Sequence, residues 1–556
     1  MGTRRWARFA GFISLVLALS ACTPSAPAPS SGGAGTSSGG AAAADSKRGG
    51  VFTIASRSAP SSLNPYVGFG LPEEITFAAT VYETLLTLDH DPNKDMRIDG
   101  KVVPNLAESW EANGPQTYTI KLRKDVLWHD GKPFTADDVV WTFSYVYDPK
   151  NALKARGFIP SYEVATKIDD QTVRFTLKYP DPSFIKQLAD RRTMMMPKHV
   201  IDEGGSYDKT VVGTGPFKLQ SYDQVAGASL TRWDQYWDKP KPYLDGWKVL
   251  YGLDNSAQVA GYISQQLDVY STTNKGELDT ILAAVPQSNQ RTSAGIFNNS
   301  IYFNLSKPPF NDVRVRRAIH LGVDRQALVR GIADNAGVLG PPGGISGLMK
   351  KLAIPETEFL QWPGWAQPKD PDYAEAKRLL AEAGYPNGLT TSMTVPSARI
   401  TSGKIMEAVT GQLKQIGVTM ELRPAEFGVY AQAESSGNYD MVPILIGDPE
   451  NQNKPWFNFF HSKGTTNPFI RNPELDKLIE DFEIASDDAQ KVQLARQIQE
   501  IIYKEMYAAP TIDLPNWNVW QSWVTDYSMN WGGNAYAYNP RSIWFDKSKG
   551  APSRSL

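Results

Sequence analysis

A few side chains in this sequence have the types and spacing of a known catalytic motif. Ser183 and Lys186 match the S-x-x-K spacing, in which a serine hydroxyl attacks an acyl group and a lysine assists its deprotonation. Residues 436–438 read Ser-Gly-Asn and can pass for the second element, but residues 463–465 read Lys-Gly-Thr where K-T-G is required. Matches this short arise by chance in a chain of 556 residues, so the sequence gives serine acylation little support.

Other patterns for catalysis or metal binding are missing from the sequence. It contains no H-E-x-x-H, no G-x-S-x-G and no G-x-x-x-x-G-K-[ST], so zinc hydrolase, α/β-hydrolase and nucleotide-binding chemistry have no motif to support them. A glycosidase needs two carboxylates at a set separation, which a sequence does not reveal. Cys22 is the only cysteine, which excludes an internal disulfide and a thiol-rich metal site. We therefore expect no cofactor. The five histidines are scattered: His90, His129, His199, His320 and His461.

Length and charge limit the class of protein. A chain of 556 residues is too long for one core and suits two or three packed units with room for a large cleft. The 57 Lys and Arg residues nearly balance the 59 Asp and Glu residues, which argues against a nucleic acid partner. The 15 Trp, 24 Tyr and 22 Phe residues suit either a large core or a cleft that stacks on ligands.

The first fifty residues have the order of an exported lipoprotein. Arg4, Arg5 and Arg8 precede the apolar run 9–19, which is shorter than the ~20 residues a membrane-spanning helix needs and is typical of a secretory signal. Leu-Ser-Ala-Cys, ending at Cys22, resembles a bacterial lipobox, in which cleavage before the cysteine leaves a thiol that receives a diacylglycerol. The segment 23–50 is rich in Pro, Ser, Gly and Ala, and we expect a disordered linker with an r.m.s. reach of ~30 Å. Whether export uses the Sec or the twin-arginine route stays open.

Three structural signals follow one another between Leu122 and Asp148. The alternation in the segment 118–123 predicts a strand with one buried face, and His129-Asp130-Gly131 predicts a turn. Thr135 and Asp138 then form a capping box that opens a helix, and Asp148-Pro149 ends it.

The wording of this stretch resembles the signature region of the extracytoplasmic solute-binding proteins of family 5, the oligopeptide, dipeptide and nickel type that serve ABC importers. In that family His129 and Asp130 would be structural turn residues. Further stretches match in the same order: Gly-Gly-Val-Phe-Thr at 49–53, Leu-Asn-Pro at 63–65, Tyr-Glu-Thr-Leu at 82–85, Pro-Asn-Leu-Ala-Glu-Ser-Trp at 104–110 and the run 301–325.

The resemblance implies an α/β fold of two lobes, the large periplasmic-binding-protein type (type II, cluster C-like), with an extra subdomain in the first lobe and two hinge crossings. The first crossing is expected near Asn304 to Phe310. From Asp370 onward, helices alternate with strands, which independently predicts a parallel or mixed sheet. The predicted parts are a signal peptide (1–21), a lipidated cysteine with its linker (22–49), a first lobe (50–80, 205–303 and 515–556), its inserted subdomain (81–204) and a second lobe (304–514).

Peptide binders of this family pair an aspartate, placed after a strand of the second lobe, with the free amino group of the ligand. The matching position here is Gly447-Asp448, directly after the predicted strand 441–446. A buried carboxylate that faces an ammonium group would select for a free amine. Asp448-Pro449 can also form a plain turn, and the segment 448–455 is longer than in the family and departs from its usual wording.

Aromatic residues are further candidates for contact with a ligand, although each can equally lie in the core or at the rim. Sugar-binding relatives stack rings in the same cleft, so an oligosaccharide is the main alternative to a peptide. Nickel or haem capture, known in the family, would need an exogenous chelator, and a secreted serine or glycoside hydrolase is the remaining alternative. The aromatic candidates are Tyr66, Phe69, Trp456, Trp517 and Trp520.

The resemblance also implies the biological setting. We expect a monomer without enzymatic activity, held by lipid on the outer face of the cytoplasmic membrane, that delivers its ligand to the permease subunits of an ABC importer and their ATPases. A cleft between two lobes can close by hinge motion and bury the ligand.

Overall fold

The computed structural model of the protein describes most of the chain after residue 45. The described residues are 46–56, 59–60, 62–67, 72–89, 100–151, 153–293, 298–345, 349, 351–397, 400–446, 455–464, 466, 469–527 and 540–556. Ser46–Leu556 form one compact unit. Cys22 lies outside the described residues.

The strands belong to several sheets. In chain order they are β1 Val51–Ala55, β2 Leu86–Leu88, β3 Val102–Pro104, β4 Ala107–Ala112, β5 Thr117–Leu122, β6 Tyr162–Asp169, β7 Thr172–Leu177, β8 Phe217–Asp223, β9 Gly227–Arg232, β10 Gly246–Leu250, β11 Val269–Thr272, β12 Asn289–Ser293, β13 Asn298–Phe303, β14 Val338–Leu339, β15 Leu389–Pro396, β16 Val418–Ala425, β17 Met441–Ile446, β18 Ala508–Pro510, β19 Ile512–Asp513, β20 Asn516–Trp520, β21 Val524–Thr525 and β22 Trp544–Phe545.

The α-helices cover both lobes. In chain order they are α1 Pro72–Val81, α2 Ala136–Tyr147, α3 Phe184–Gln187, α4 Lys198–Asp202, α5 Asn255–Ile263, α6 Lys275–Ala284, α7 Val313–Gly322, α8 Arg325–Ile332, α9 Glu356–Phe359, α10 Asp370–Glu382, α11 Ile400–Leu413, α12 Phe427–Ser436, α13 Phe457–Phe460, α14 Pro473–Ile484 and α15 Asp488–Glu505.

Two sheets of the first lobe meet at a buried carboxylate. One sheet has the order β1-β10-β9-β8 and the other has the order β11-β20-β12. Asp268, just before β11, is fully buried and accepts hydrogen bonds from the Thr53 amide (2.7 Å) and the Trp523 indole (3.0 Å). It also forms an ion pair with Arg554 near the end of the chain. One side chain thus joins four separate stretches of the first lobe.

The inserted subdomain confirms the local predictions for Leu122 to Asp148. Its sheet has the order β4-β5-β7-β6, and α2 begins at the predicted capping box. The Asp138 carboxylate accepts hydrogen bonds from the amides of Thr135 (3.0 Å) and Lys198 (2.9 Å) and from the Trp128 indole (3.3 Å). His129 is buried, with Nε2 2.9 Å from the carbonyl oxygen of Gly215, so its contacts are structural.

A five-stranded mixed sheet, β16-β15-β17-β13-β18, forms the centre of the second lobe. β15 is parallel to β16, whereas β13 is antiparallel to β17 and β18, as the predicted parallel or mixed sheet allows. Both faces are covered: Ile301 and Phe303 pack into one core, and Tyr302 packs into the core on the other face. This alternation is the expected consequence of side chains that point to opposite sides of a strand.

The first connection between the lobes differs from the prediction. β13 pairs along its whole length with β17, so the chain has already entered the second lobe at Asn298, one strand before the predicted crossing at Asn304 to Phe310. The return connection follows Asp513, because β20 pairs with β11 and β12 of the first lobe.

The chain just after the first connection lies beside the chain just before the return connection. The Asn299 amide donates to Asp513 Oδ1 (3.0 Å), and the Asn299 carbonyl accepts from the Thr511 amide (2.7 Å). Two lobes joined by two connections agree with the predicted fold class. Among the described residues, no helix has the length and apolar character needed to cross a membrane.

Candidate ligand-binding site

The segment that carries the predicted amine-binding aspartate leaves the sheet beside the crossings. β17 ends at Ile446, which pairs with Asn298, the first described residue after the first connection. Gly447 and Asp448 follow directly in sequence and lie outside the described residues. The last residue before this segment thus lies opposite the first described residue after the first connection.

Trp456 follows this segment in the sequence, two residues after its end. Its side chain is only 1% exposed, and its indole Nε1–H donates to the carbonyl oxygen of Gly343 at 2.9 Å. Its ring packs edge-on against Phe482, with centroids 5.1 Å apart. Trp456, predicted as a ligand contact, thus lies in the core of the second lobe with its one polar group occupied.

Asn298 also donates hydrogen bonds to the turn 341–345, which contains Gly343. Its side chain is fully buried, and its Nδ2 donates to the carbonyl oxygens of Pro341 and Ile345, both at 3.1 Å. Its Oδ1 accepts from the Ser300 hydroxyl. The turn 341–345 therefore contacts Asn298, which pairs with Ile446, and also contacts Trp456.

On the first-lobe side, Tyr66 is also buried. Its amide donates to Asn64 Oδ1 (3.0 Å) in a local turn, and its hydroxyl donates to the carbonyl oxygen of Met194. Burial raises the pKa of the phenol. Tyr66 lines a small cavity with Arg192 and Phe158, inside the first lobe. Phe69 lies outside the described residues.

Trp517 and Trp520 point to opposite faces of β20. Because they are three positions apart in a strand, their side chains lie on opposite faces. Trp517 packs with Tyr262 and Tyr270 in a small core beneath α5 and α6. Trp520 is partly exposed, and its ring lies 5.4 Å from that of Tyr527. The predicted aromatic residues that the structure describes therefore do not form one stacking surface.

Polar side chains that the sequence analysis overlooked share the Trp520 face of β20. Asn516 and Asn518 are buried, and Asn516 Nδ2 donates to Asn518 Oδ1 at 3.3 Å. Ser271 of the neighbouring strand donates its hydroxyl to the same oxygen. The sequence feature that could have indicated them is the alternation Asn-Trp-Asn-Val-Trp at 516–520, which puts both amides on one face of the strand after the return connection.

The inserted subdomain approaches the second lobe in the segment after β7. Burial raises the pKa of the Tyr179 phenol, and the neighbouring Glu483 and Asp181 carboxylates raise it further. Burial lowers the pKa of Lys491, and nearby carboxylates, Asp181 among them, oppose that effect. Tyr179 and Asp181 lie in the inserted subdomain, whereas Glu483 lies in α14 and Lys491 in α15 of the second lobe. Ionisable groups of the inserted subdomain and the second lobe therefore interact.

Ser183, the nucleophile of the serine-acylation alternative, lies in a hydrogen-bonded network inside the inserted subdomain. Ser183 is buried, its hydroxyl donates to Asp181 (2.5 Å), and it accepts from Gln187 Nε2 (2.7 Å). The hydroxyl thus belongs to a buried structural network rather than to a Ser-Lys pair. In the described part of the chain, no group of three or more His, Cys, Asp or Glu side chains is placed to hold a metal ion.

Comparison with known proteins identifies relatives of the same architecture. The periplasmic oligopeptide-binding protein OppA of Escherichia coli is 27% identical over 493 residues, covering 84% of this chain and 88% of OppA. The murein tripeptide binding protein MppA of Escherichia coli superposes with a TM-score of 0.77 at 22% identity, over 90% of this chain and 98% of MppA. AgaA from A. tumefaciens R10, solved in complex with agropinic acid, superposes with a TM-score of 0.73 at 22% identity, over 89% and 99% of the chains.

These superpositions confirm the predicted two-lobed α/β fold of periplasmic binding proteins. The model of the family described as "Bacterial extracellular solute-binding proteins, family 5 Middle" matches residues 101–467. That match begins before the signature region and extends past the segment with Gly447-Asp448. The chain therefore belongs to the bacterial extracellular solute-binding proteins of family 5.

Proposed function

We propose that this solute-binding protein captures a peptide, or a peptide-like solute with a free amino group, between its lobes and delivers it to an ABC importer. The observation that carries the proposal is the pairing of β17, the strand directly before Gly447-Asp448 in the sequence, with β13, the first strand after the first connection. The names of the relatives agree, since OppA is an oligopeptide-binding protein and MppA binds a murein tripeptide.

Asp448 is the proposed partner of the ligand's amino group. A carboxylate that is buried on binding stabilises the complex only when an ammonium group pairs with it. A ligand without that charge would leave the carboxylate buried and unpaired, so it is rejected. Replacing one partner of a buried charge pair costs about 3 kcal/mol, or roughly a hundredfold in Kd. Asp448→Asn should therefore weaken binding of a free peptide while the protein stays folded.

An oligosaccharide or another polyhydroxylated solute is the second candidate. The partly exposed Trp520 favours it, because aromatic rings stack on sugars. AgaA, which has the same fold, was solved with agropinic acid rather than a peptide. Trp520 is the aromatic candidate that we retain as a lining residue, since Tyr66, Trp456 and Trp517 are each less than 10% exposed.

Native mass spectrometry of protein purified from cells grown in rich medium separates the two candidates. A co-purified peptide supports the proposal, and a co-purified sugar rejects it in favour of the second candidate. The mass of the ligand should stay the same after prolonged incubation with the protein, because we infer binding without turnover. Steady conversion of the ligand by pure protein would contradict that inference.

The proposal includes a lipid anchor at Cys22 and docking of the monomer to permease subunits with their ATPases. Its support is the Leu-Ser-Ala-Cys context and the absence of any other cysteine from the sequence. Intact-mass analysis of the membrane fraction should give a chain that begins at Cys22 and carries a diacylglyceryl group. A mature chain that begins elsewhere, or has an unmodified thiol, would reject the anchor.

A further inference from the structure

The residues just before β1 are held against the surface of the first lobe. The Gly49 amide donates to the carbonyl oxygen of Tyr243 (2.9 Å), and the Gly50 amide donates to the Asp245 carboxylate (3.0 Å). A Cβ atom at Gly50 would lie 2.5 Å from the Phe545 ring, so the backbone packs directly against β22. These contacts fix the place where the chain enters the folded body.

Two cations immediately precede this place. The Lys47 ammonium lies 4.8 Å from the centroid of the Trp544 ring and 5.4 Å from that of the Tyr243 ring. The Arg48 guanidinium donates to the carbonyl oxygen of Pro240 (3.4 Å). Contacts with rings and carbonyl oxygens leave the charge of a cation in place, whereas an ion pair would cancel it. Both side chains are therefore held against the body with their positive charge intact.

Two exposed lysines lie beside them. A Cβ atom at Gly49 would lie 3.5 Å from Lys547 Nζ, so this ammonium is next to the entering chain. Lys239 precedes Pro240 and donates to the carbonyl oxygen of Asp234. We call the four cations the basic patch: Lys47, Arg48, Lys239 and Lys547. Within the described part of the chain, none of the four forms an ion pair with a carboxylate.

Most carboxylates near the basic patch have cations of their own. These pairs are Asp234 and Asp245 with Arg232 (3.0 and 2.9 Å), Asp238 with Lys241 (3.1 Å), and Asp546 with Lys549 (3.8 Å). Asp526 has no ion pair among the described residues and accepts from the Trp544 indole (3.0 Å). Because Arg232 balances only one of its two carboxylates, two negative charges stand against the four positive charges of the patch. The excess is positive here, although the whole chain has a net charge of −2.

We propose that the basic patch docks the first lobe on an anionic phospholipid surface. The inference rests on the lipid anchor of the proposed function, because the 24 residues from Cys22 to Ser46 then keep the patch within an r.m.s. distance of about 27 Å of the bilayer. A flexible tether of this length gives an effective concentration on the order of 1 mM, so the weak attraction of a few cations to lipid phosphates suffices. The partly exposed rings of Trp544 and Tyr243 suit the headgroup region, where aromatic residues with a polar group are enriched. Docking fixes the first lobe at the membrane and leaves the second lobe to move on its two connections.

The test uses the chain from residue 22 onward with Cys22→Ser, so that no lipid of its own contributes to binding. Co-sedimentation with vesicles of equal parts phosphatidylglycerol and phosphatidylcholine, or of phosphatidylcholine alone, gives the partition coefficient in about 50 mM NaCl. Lys239→Gln combined with Lys547→Gln removes two charges of the basic patch. Lys121→Gln combined with Lys178→Gln is the matched control, because both lysines are exposed, lie in the inserted subdomain and form no ion pair with a described residue.

A cation near an anionic membrane surface changes binding about fivefold, so we expect the patch variant to lower the partition coefficient on anionic vesicles about 25-fold. The control should lower it less than about threefold, and about 500 mM NaCl should abolish binding of the parent chain. Equal binding to phosphatidylcholine vesicles, or an equal loss in the control, would overturn the inference. Binding to soluble polyphosphate but not to anionic vesicles would overturn it in favour of a soluble polyanion.

The anchor and the basic patch fail separately. The vesicle assay contains no lipidated protein, so it reports on the patch alone, whereas the intact mass of the membrane-derived chain reports on Cys22. A chain that binds anionic vesicles but has an unmodified thiol would keep the patch and reject the anchor. A lipidated chain whose body ignores anionic vesicles would keep the anchor and reject the patch.

Discussion

Arg554→Met should destabilise the first lobe, because it leaves the Asp268 carboxylate buried without its cation. Asp268 is fully buried and Arg554 is 16% exposed at its side chain, so solvent screens the pair little. Removing one partner of such a pair costs about 3–5 kcal/mol, and the lower figure applies because Thr53 and Trp523 still donate to the carboxylate. For an unfolding unit of about 200 residues, 3 kcal/mol lowers the Tm by about 6 °C or more.

The size of this loss should depend on pH. Burial raises the pKa of Asp268, and Arg554 opposes that rise. Without Arg554, the native pKa moves further above the unfolded value of about 3.9. The native state then binds a proton more readily than the unfolded state, so the variant loses least stability below about pH 4 and progressively more as the pH rises through the native pKa.

Differential scanning calorimetry at pH 5 and pH 8 measures both effects. Arg378→Met is the matched control, because Arg378 forms its ion pairs with Glu375 and Glu382 at the surface and should change stability by less than about 1 kcal/mol. A loss of similar size at both pH values, or an Arg554→Met variant as stable as the control, would refute the role assigned to the buried pair.

Three further substitutions test individual packing and capping contacts. Gly343→Ala should destabilise the second lobe by about 3 kcal/mol, because the residue has a positive φ and its Cβ would overlap with α15. At Gly403 a Cβ atom meets nothing within 4 Å, so Gly403→Ala should stabilise α11 by up to about 1 kcal/mol. The same thermal unfolding assay measures both changes. Asp138→Asn should cost about 2 kcal/mol, because one amide oxygen replaces a carboxylate that accepts three hydrogen bonds, and unfolding in urea followed by circular dichroism measures it. Unchanged stability in either destabilising variant would contradict the contact concerned.

Local features of the fold could be predicted from the sequence because their partners are close in the chain. The capping box joins Thr135 to a residue three positions later, and the periodic stretches after Asp370 contain their own start and stop signals. The first crossing could not be located in the same way. β13 finds its place through β17 and β18, whose positions in the chain are remote, and no local pattern reports that pairing.

The candidate site could be predicted only in part for a similar reason. The burial of Trp456 depends on Gly343, 113 residues away, so its role as a support could not be read from its own surroundings. Strand alternation predicts that Trp517 and Trp520 point in opposite directions, whereas their shared aromatic type alone does not distinguish them. Asn516 and Asn518 were overlooked because amides carry no distinctive motif.

The pairing of the chain next to the two connections has a mechanical consequence. Asn299 is hydrogen-bonded through its amide to Asp513 and through its carbonyl to Thr511, so the chain enters and leaves the second lobe as one ribbon rather than as two independent segments. A ribbon bends readily about one line and resists torsion. We therefore expect the halves to swing along a single arc, so that the rim of the loaded protein always presents the same outline to a transport partner.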